Sequence, residues 1–484
     1  MRIVIVHFHL QTGGVTRVIE TASAALAAHG HRVLVAAGEP PDQPLPPNTA
    51  FARVAGLGYE ERRPAIGPKA LAAELEDAAR THLGGRPDLW HVHNHALGKN
   101  LALPGALGVL IRGGNRVLLQ PHDFAEDGRP GLYARLLDAV GGGDPGRLSA
   151  LLYPQAPHVH YAVLNDRDRG FLAAARVPAE RLHLLPNAVA LAPPEHPAPH
   201  PFGRRRLWLY PTRAIRRKNL GELLLWSLTA EADDLFAATQ APRNPAEQPR
   251  YARWKRFAGE LALPVELELG RGVSDFSGLV ASAHALVTTS VGEGFGLAFL
   301  EPWLAGRPLV GRDLPEVTRD FAAAGLDLSG LYSRLEVPLE WLDDAALRTR
   351  LEAALRAVMG AYGRAERPEH MDRLWCQIVR DGRIDFGRLD ETAQEEVIRR
   401  LAGNPADLAR LRPCALMPPT DPMTTERNRL LVERDYSIAG YGRRLEALYS
   451  SLLDAPVTEA PQAGDAGALL DRFLDPERLC LLRT

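Results

Sequence analysis

The chain is short of cysteine, of aromatic residues, of any charge excess and of long apolar runs, and most of these shortages close off a class of protein. Three cysteines (Cys376, Cys414 and Cys480) are scattered over 484 residues. Their odd number and wide spacing fit neither a disulfide framework nor a metal-ligand pattern, so a reducing compartment is expected. Lysine plus arginine (57) nearly balances aspartate plus glutamate (59), which removes the electrostatic basis for a nucleic-acid partner. No window approaches the roughly 20 apolar residues of a membrane span. The opening Met1–Val6 is too short an apolar run for a signal peptide and reads as a first strand. A cytoplasmic, soluble protein is expected, with membrane contact not favoured. Charged residues at 24% and hydrophobic residues at 46% are globular values, and the length predicts about three domains rather than one core.

What is present is alternation. Apolar β-type runs at Ile3–Phe8, Arg32–Ala37, Leu89–His93, Val117–Pro121, His160–Leu164 and Leu182–Leu185 are separated by helical stretches. The first of these carries Val15, Val18, Ile19, Ala22 and Leu26 at helical period. Alternating strand and helix predicts an α/β, doubly wound parallel sheet over residues 1–190. Four prolines within 191–200 mark 191–204 as a stiff linker. A second alternating region, 205–430, has strands at Leu207–Pro211, Leu235–Thr239, Val265–Leu269, Ala285–Thr289 and Leu309–Gly311, with helices from Asn219 and near Arg250–Leu261. Two Rossmann-like halves with a cleft between them are therefore expected. Residues 330–425 read as a helical insertion, with a helix capped by Asp343 or Asp344 and another near Glu391–Leu401. In the closing part, 431–484, Ser437 caps a helix at Ile438–Leu453 with Tyr441, Leu445, Leu448 and Leu452 on one face, and a tail follows whose apolar part, Leu469–Leu474, is expected to dock.

The richest segment is Thr289–Glu301, in which a strand runs into Gly292-Glu293-Gly294-Phe295-Gly296-Leu297 and then a helix. Glycines followed by a helix N-terminus turn several backbone N–H groups to one spot, where the helix dipole favours an anion. Two carboxylates, Glu293 and Glu301, beside such a nest suit a ligand with a diphosphate and several hydroxyls, as in a sugar nucleotide. Earlier, Arg213 ends a strand and Lys218 stands at the mouth of a helix, two cations expected to face the same crevice. In the first half, Gln11-Thr12-Gly13-Gly14-Val15 follows the first strand, and Pro121-His122-Asp123-Phe124 ends a later one, where ligands bind in open α/β sheets. His91, His93 and His95 alternate, so they are expected to share one face of a strand or its extension. That spacing is too long for one tetrahedral ion, and no metal site is expected.

Together these segments resemble retaining glycosyltransferases of the GT-B fold, in particular glycosyltransferase family 4, with its E-x7-E element and Arg/Lys pair. The resemblance implies that Arg213 and Lys218 hold the donor diphosphate, with the amides around Gly294, Phe295, Gly296 and Leu297. It implies that Glu293 accepts bonds from sugar hydroxyls and Glu301 from the ribose. It places His122 against the transferred sugar, Gly14 beside the donor phosphate, and Gly13, His93 and Asn94 on the acceptor side, while His91 packs. The closing helix is implied to cross back onto the first half. The implied reaction moves a hexose from a nucleoside diphosphate to a hydroxyl acceptor, a small soluble molecule or glycan, with no cofactor beyond the sugar-nucleotide co-substrate and no metal. The sequence leaves the base, the hexose, the acceptor and the oligomeric state open. Ala188 stands where the family has Gly in Pro-Asn-Gly-Val, and Pro302 follows Glu301 where the family has Ala, so that helix is expected to start late or kink. Two other readings share the same residues: a sugar-nucleotide epimerase or phosphorylase of this fold, and a non-catalytic sugar-nucleotide-binding scaffold.

Overall fold

Runs such as Ile3–Val6, in which every side chain is fully buried, can only be strands covered on both faces, and they build a parallel sheet. The computed structural model describes residues 1–59, 66–191, 206–458 and 460–483. The expected linker falls almost wholly outside them. The chain divides into two compact units. The first comprises Met1–Ala188, Ala361–Arg364 and Tyr436–Asp475, and the second Val189–Gly360, Ala365–Asp435 and Pro476–Thr484. No helix among the described residues is long and apolar enough to cross a membrane.

In the first unit the described residues form a seven-stranded parallel sheet, in the order Thr49–Arg53, Arg32–Ala37, Arg2–Val6, Leu89–His93, Val117–Gln120, Val159–Val163 and Leu182–Leu184. The edge strand Thr49–Arg53 was not expected, because its residues are mostly half-buried and carry little apolar signal. The helix Gly14–Ala28 buries Val18, Ile19, Ala22, Ala25 and Leu26. Against it packs the closing helix Ile438–Asp454, capped by Ser437, whose Oγ accepts from the Gly440 amide at 3.1 Å. Gly442 allows this approach: a Cβ there would lie 2.9 Å from that of Ala25. The tail helix Ala466–Phe473 docks through the fully buried Leu469 and Leu470.

An unusual number of histidines lie inside this unit. His7, His91, His93, His95 and His122 are all buried. Burial drives His7 and His122 down to about 3 and His91 and His95 to about 4, and holds His93 well below its ordinary value.

The second unit repeats the architecture. Its described strands order as Val265–Leu267, Asp234–Gln240, Arg206–Arg213, Ala285–Thr288, Leu309–Arg312 and Leu331–Tyr332, all parallel. The region expected to be a helical insertion is not only helical. Besides Asp344–Ala361, Pro368–Ile378 and Glu391–Gly403 it holds an antiparallel sheet of Glu336–Pro338, Arg383–Asp385 and Val379–Arg380. Strands of two or three residues are too short to show a period of two. This region is tied to the main sheet by a buried charge cluster. Arg312 donates to Glu222 at 2.7 Å and to Asp385 at 2.8 Å and 3.1 Å, and the Tyr332 hydroxyl donates to Glu222 at 2.7 Å. All three charged side chains are nearly inaccessible.

These interiors have two measurable consequences. The buried histidines stay neutral in the fold, whereas the unfolded chain protonates each near pH 6.5. The unfolded state therefore binds more protons below that pH, and stability is lost as pH falls from about 6.5 towards 4, by about 1.4 kcal/mol per pH unit for each histidine. Urea unfolding followed by tryptophan fluorescence should show a much lower midpoint at pH 5 than at pH 7.5; equal midpoints would contradict burial of the neutral rings. In the second unit, Asp385→Ala leaves Arg312 with one carboxylate and should cost about 3–5 kcal/mol in denaturant unfolding. A cost below about 1 kcal/mol would mean that the cluster is solvated.

Candidate active site

In the second sheet the strand order reverses between Arg206–Arg213 and Ala285–Thr288, and ligands of open α/β sheets bind outside the C-terminal ends of strands at such a reversal. The loop leaving the first strand makes a 3-10 turn at Arg216–Lys218 and passes through Asn219 in a left-handed conformation (φ 50°) into the helix Leu220–Ser227. The loop leaving the second is stitched to it. Thr289 Oγ1 donates to the carbonyls of Lys218 (2.9 Å) and Asn219 (3.0 Å), and the Val291 amide donates to that of Arg217 (2.9 Å). Arg217 in return donates through Nη1 to the Gly292 carbonyl at 2.7 Å. At the centre Lys218 Nζ is ion-paired to Glu293 Oε1, with Arg217 3.3 Å from Oε2. Burial works against the Glu293 charge, but Lys218 and then Arg217 hold its carboxyl below the usual range. The charge of Glu301 also acts on Lys218.

Pro302 shapes the end of this loop. The helix starts late, as expected: a 3-10 turn at Leu297–Phe299 comes first, and then a four-residue helix, Glu301–Leu304. Proline is tolerated in a first turn, where its missing N–H had no intrahelical partner, so the helix starts at Glu301. Gly296 adopts φ 92°, and a Cβ there would meet Val317 Cγ1 at 2.7 Å, so this glycine is required by the turn. Phe295 is a core residue, edge-on to Phe321 at 5.6 Å, which leaves only its backbone for a ligand. Gly294 and the half-buried Leu297 lie in the same turn.

Arg213 does not join the Lys218–Glu293 pair. It is exposed, and its Nε donates to Gln240 Oε1 at 3.3 Å on the neighbouring strand. The second cation at Glu293 is Arg217. Spacing within a loop did not separate these two arginines, because the 3-10 turn that lifts Arg217 towards Gly292 has no sequence signature of its own.

The first sheet reverses between Arg2–Val6 and Leu89–His93. After the first of these strands, Thr12 is anchored by Asp42, and Gly13 is the N-cap of Gly14–Ala28 without a side-chain cap. A Cβ on Gly14 would meet nothing within 4 Å, and one on Gly13 only the Gln11 carbonyl at 3.7 Å. Neither packing nor a left-handed backbone explains these two glycines. After the second strand, Asn94 is left-handed (φ 55°), and its Oδ1 accepts from the amides of His122 (2.7 Å) and Asp123 (3.0 Å). His93 Nδ1 lies 2.8 Å from His122 Nε2, with the rings stacked at 5.1 Å. Two neutral imidazoles sharing one proton fix each other's tautomer. His93 and Asn94, expected to meet an acceptor, also hold the His122 loop, and His93 Nε2 is buried without a hydrogen-bond partner.

His95 departs from the expected row. The strand ends at His93, Asn94 turns the backbone, and His95 Nε2 faces the Leu152 carbonyl at 2.8 Å. His91 packs as expected, 2.8 Å from both the Tyr449 hydroxyl and Gln120 Oε1. No group of His, Cys, Asp and Glu among the described residues has metal-holding geometry.

Sequence reasoning missed three further groups. Glu126 lies buried four residues after His122, receives the Tyr153 hydroxyl at 3.0 Å, and is raised by burial to about 7. Glu391 takes Arg216 in a two-pronged bond of 2.6 Å and 2.9 Å, and Gln394 donates to Asn219 Oδ1 at 2.9 Å. Both stand on one helix more than 170 residues after the loop they brace, a distance over which pattern carries no signal.

Residues 12–193 match the model of Glycosyltransferase Family 4. A curated relative, mannosylglucosyl-3-phosphoglycerate synthase of Petrotoga mobilis, is 26% identical over 270 residues, and the match spans about half of each protein, 51% of either. Among solved structures, a glycosyltransferase from Rickettsia africae superposes with a TM-score of 0.55 at 12% identity, covering 93% of this chain and 98% of its own. HepE of Anabaena, in complex with UDP and glucose, gives 0.53 at 12% identity, covering 93% of this chain and 100% of its own. With two parallel sheets and these likenesses in fold, the chain has the GT-B fold, and its residues 12–193 are similar to glycosyltransferase family 4.

Proposed function

We propose that the protein is a retaining hexosyltransferase that takes its sugar from a nucleoside diphosphate and passes it to a hydroxyl acceptor. The observation that carries this reading is the half-buried Lys218–Glu293 pair at the strand reversal of the second sheet. A diphosphate arriving there meets Lys218, with Arg217 beside it, Arg213 at the end of the preceding strand, and the amides of Gly294–Leu297. Preorganised cations and N–H groups aimed at a developing anion are worth several kcal/mol in a site closed to water. With that positive charge supplied by side chains, neither a metal ion nor a cofactor is required. Glu293, kept ionised, accepts hydrogen bonds from sugar hydroxyls, and Glu301 from the ribose.

On the side of the first sheet, His122 is neutral at any working pH, so its role is to hydrogen-bond the sugar and not to carry charge. The bare glycines Gly13 and Gly14 give a phosphate or acceptor close access to the backbone. In the transfer, the bond between C1 and the phosphate oxygen breaks as the acceptor oxygen bonds C1 on the same face. The acceptor proton passes to the leaving phosphate, which makes a separate nucleophile unnecessary. The Petrotoga relative, by its name, makes a glycoside of phosphoglycerate, which supports a small acceptor; HepE, holding UDP and glucose, supports a nucleoside-diphosphate hexose as donor.

The test is transfer measured by mass spectrometry with a panel of nucleoside-diphosphate hexoses and small hydroxylated acceptors, the product's anomeric configuration being read by NMR. Retention is expected. Conversion of the donor without acceptor would mark an epimerase, and inversion would overturn the mechanism. Lys218→Ala should lower the rate about 10²–10³-fold, as for loss of one preorganised donor group. A near-normal rate would remove Lys218 from the diphosphate site.

A further inference from the structure

After its excursion through the first unit, the chain returns to the second over Pro476–Arg483, and this return ends against the loops of the candidate site. The segment is held along its length. Arg373 donates to Glu477 at 3.0 Å, Arg478 is ion-paired with Glu316, and Arg388 Nη1 donates to the Leu479 carbonyl at 2.7 Å. Cys480 is buried, with its Sγ 3.3 Å from the Gly387 carbonyl, and Leu481 and Leu482 are buried beside it. The final 3-10 turn, Leu481–Arg483, packs on the Arg216–Lys218 turn. Its last side chain reaches Gly292: a Cβ there would lie 3.1 Å from Arg483 Nε and 3.2 Å from Cδ. Gly292 therefore has a use the sequence does not reveal, which is to leave room for a guanidinium.

We propose that Arg483 is a donor-site residue, which the segment Pro476–Arg483 delivers to the Gly292–Glu293 loop to hold the diphosphate of the nucleotide together with Lys218. Arg217, Lys218 and Arg483 converge on two consecutive residues, and Arg217 already takes the Gly292 carbonyl. A guanidinium fixed by its own backbone anchorage, with several donors in a rigid fork, matches a phosphate oxygen pair better than a free lysine does. The tail's anchors at Gly387, Arg388 and Arg373 also give the 330–425 region a task, as the platform on which this arginine is carried. The proposal rests on the reading of this site as a nucleoside-diphosphate site.

Calorimetric titration of the full chain with UDP, GDP and ADP, and with the matching monophosphates, tests both. Wild-type protein should bind one of the diphosphates; binding none would overturn the donor reading and this inference with it. Given that binding, Arg483→Gln should weaken the diphosphate about tenfold, the scale of one charge-assisted hydrogen bond. The monophosphate should lose less than about threefold, since the β-phosphate is the group held. Arg483→Lys should recover part of the loss, and Gly292→Ala, which keeps the charge but displaces it, should reproduce it. Unaltered melting of the ligand-free variants shows that the fold is intact. Equal affinity in wild type and Arg483→Gln would overturn the inference while leaving the donor reading in place. Tighter binding by the variant would also overturn it, making the tail a competitor of the nucleotide.

Discussion

A lysine and a glutamate 75 positions apart, Lys218 and Glu293, are paired and largely shielded from water at the strand reversal of the second sheet, and the loops around them hold that pairing. A buried charge is costly unless it is paired and hydrogen-bonded. The hydroxyls of Thr289 and Ser290 and the Val291 amide tie one loop to the carbonyls of the other, Arg217 closes the ring at Gly292, and Asn219 takes a left-handed conformation to start the helix behind Lys218. Behind that lies a further tier. Glu391 and Gln394 hold Arg216 and Asn219, and Asn219 in turn bonds Glu222 of the Arg312–Asp385 cluster. A polar network of this depth fixes one geometry, because each member left unpaired would cost its full desolvation.

The two units use opposite electrostatics. The second gathers charges of both signs around its strand reversal, whereas the first surrounds its own reversal with neutral imidazoles. Stacked against His93 and clamped by Asn94, His122 offers a fixed, uncharged hydrogen-bonding group.

How much was legible in the sequence depends on the range over which a signal acts. Strands such as Leu89–His93 and Arg32–Ala37 are legible to the residue, because burial on both faces makes them mostly apolar. The Gly-rich turn with its two glutamates stood out because glycine, strand and helix follow one another within a dozen residues. The half-buried edge strand Thr49–Arg53 and the small sheet around Arg383–Asp385 did not, being short and weakly patterned. Side-chain direction was the main loss. Arg213 and Arg217 are four positions apart, one ending a strand and the other in the 3-10 turn that follows, and only the second reaches Glu293. Asn94 shows the same limit, since its left-handed backbone makes it the clamp of a neighbouring loop, a use that no sequence pattern shows. Partners supplied from a distance, Glu391 to Arg216 or Tyr449 to His91, are set by the fold alone.

The central claim is that this paired-charge site receives a nucleoside diphosphate. Thermal denaturation of the intact protein against UDP, GDP, ADP and their hexose conjugates tests it most directly. A ligand at about 100 times its dissociation constant adds roughly 2.7 kcal/mol. The account predicts that one diphosphate and its sugar conjugate raise the melting temperature by several degrees, and that Glu293→Gln loses most of the added shift from the sugar. A folded protein whose melting no nucleotide diphosphate moves would contradict it.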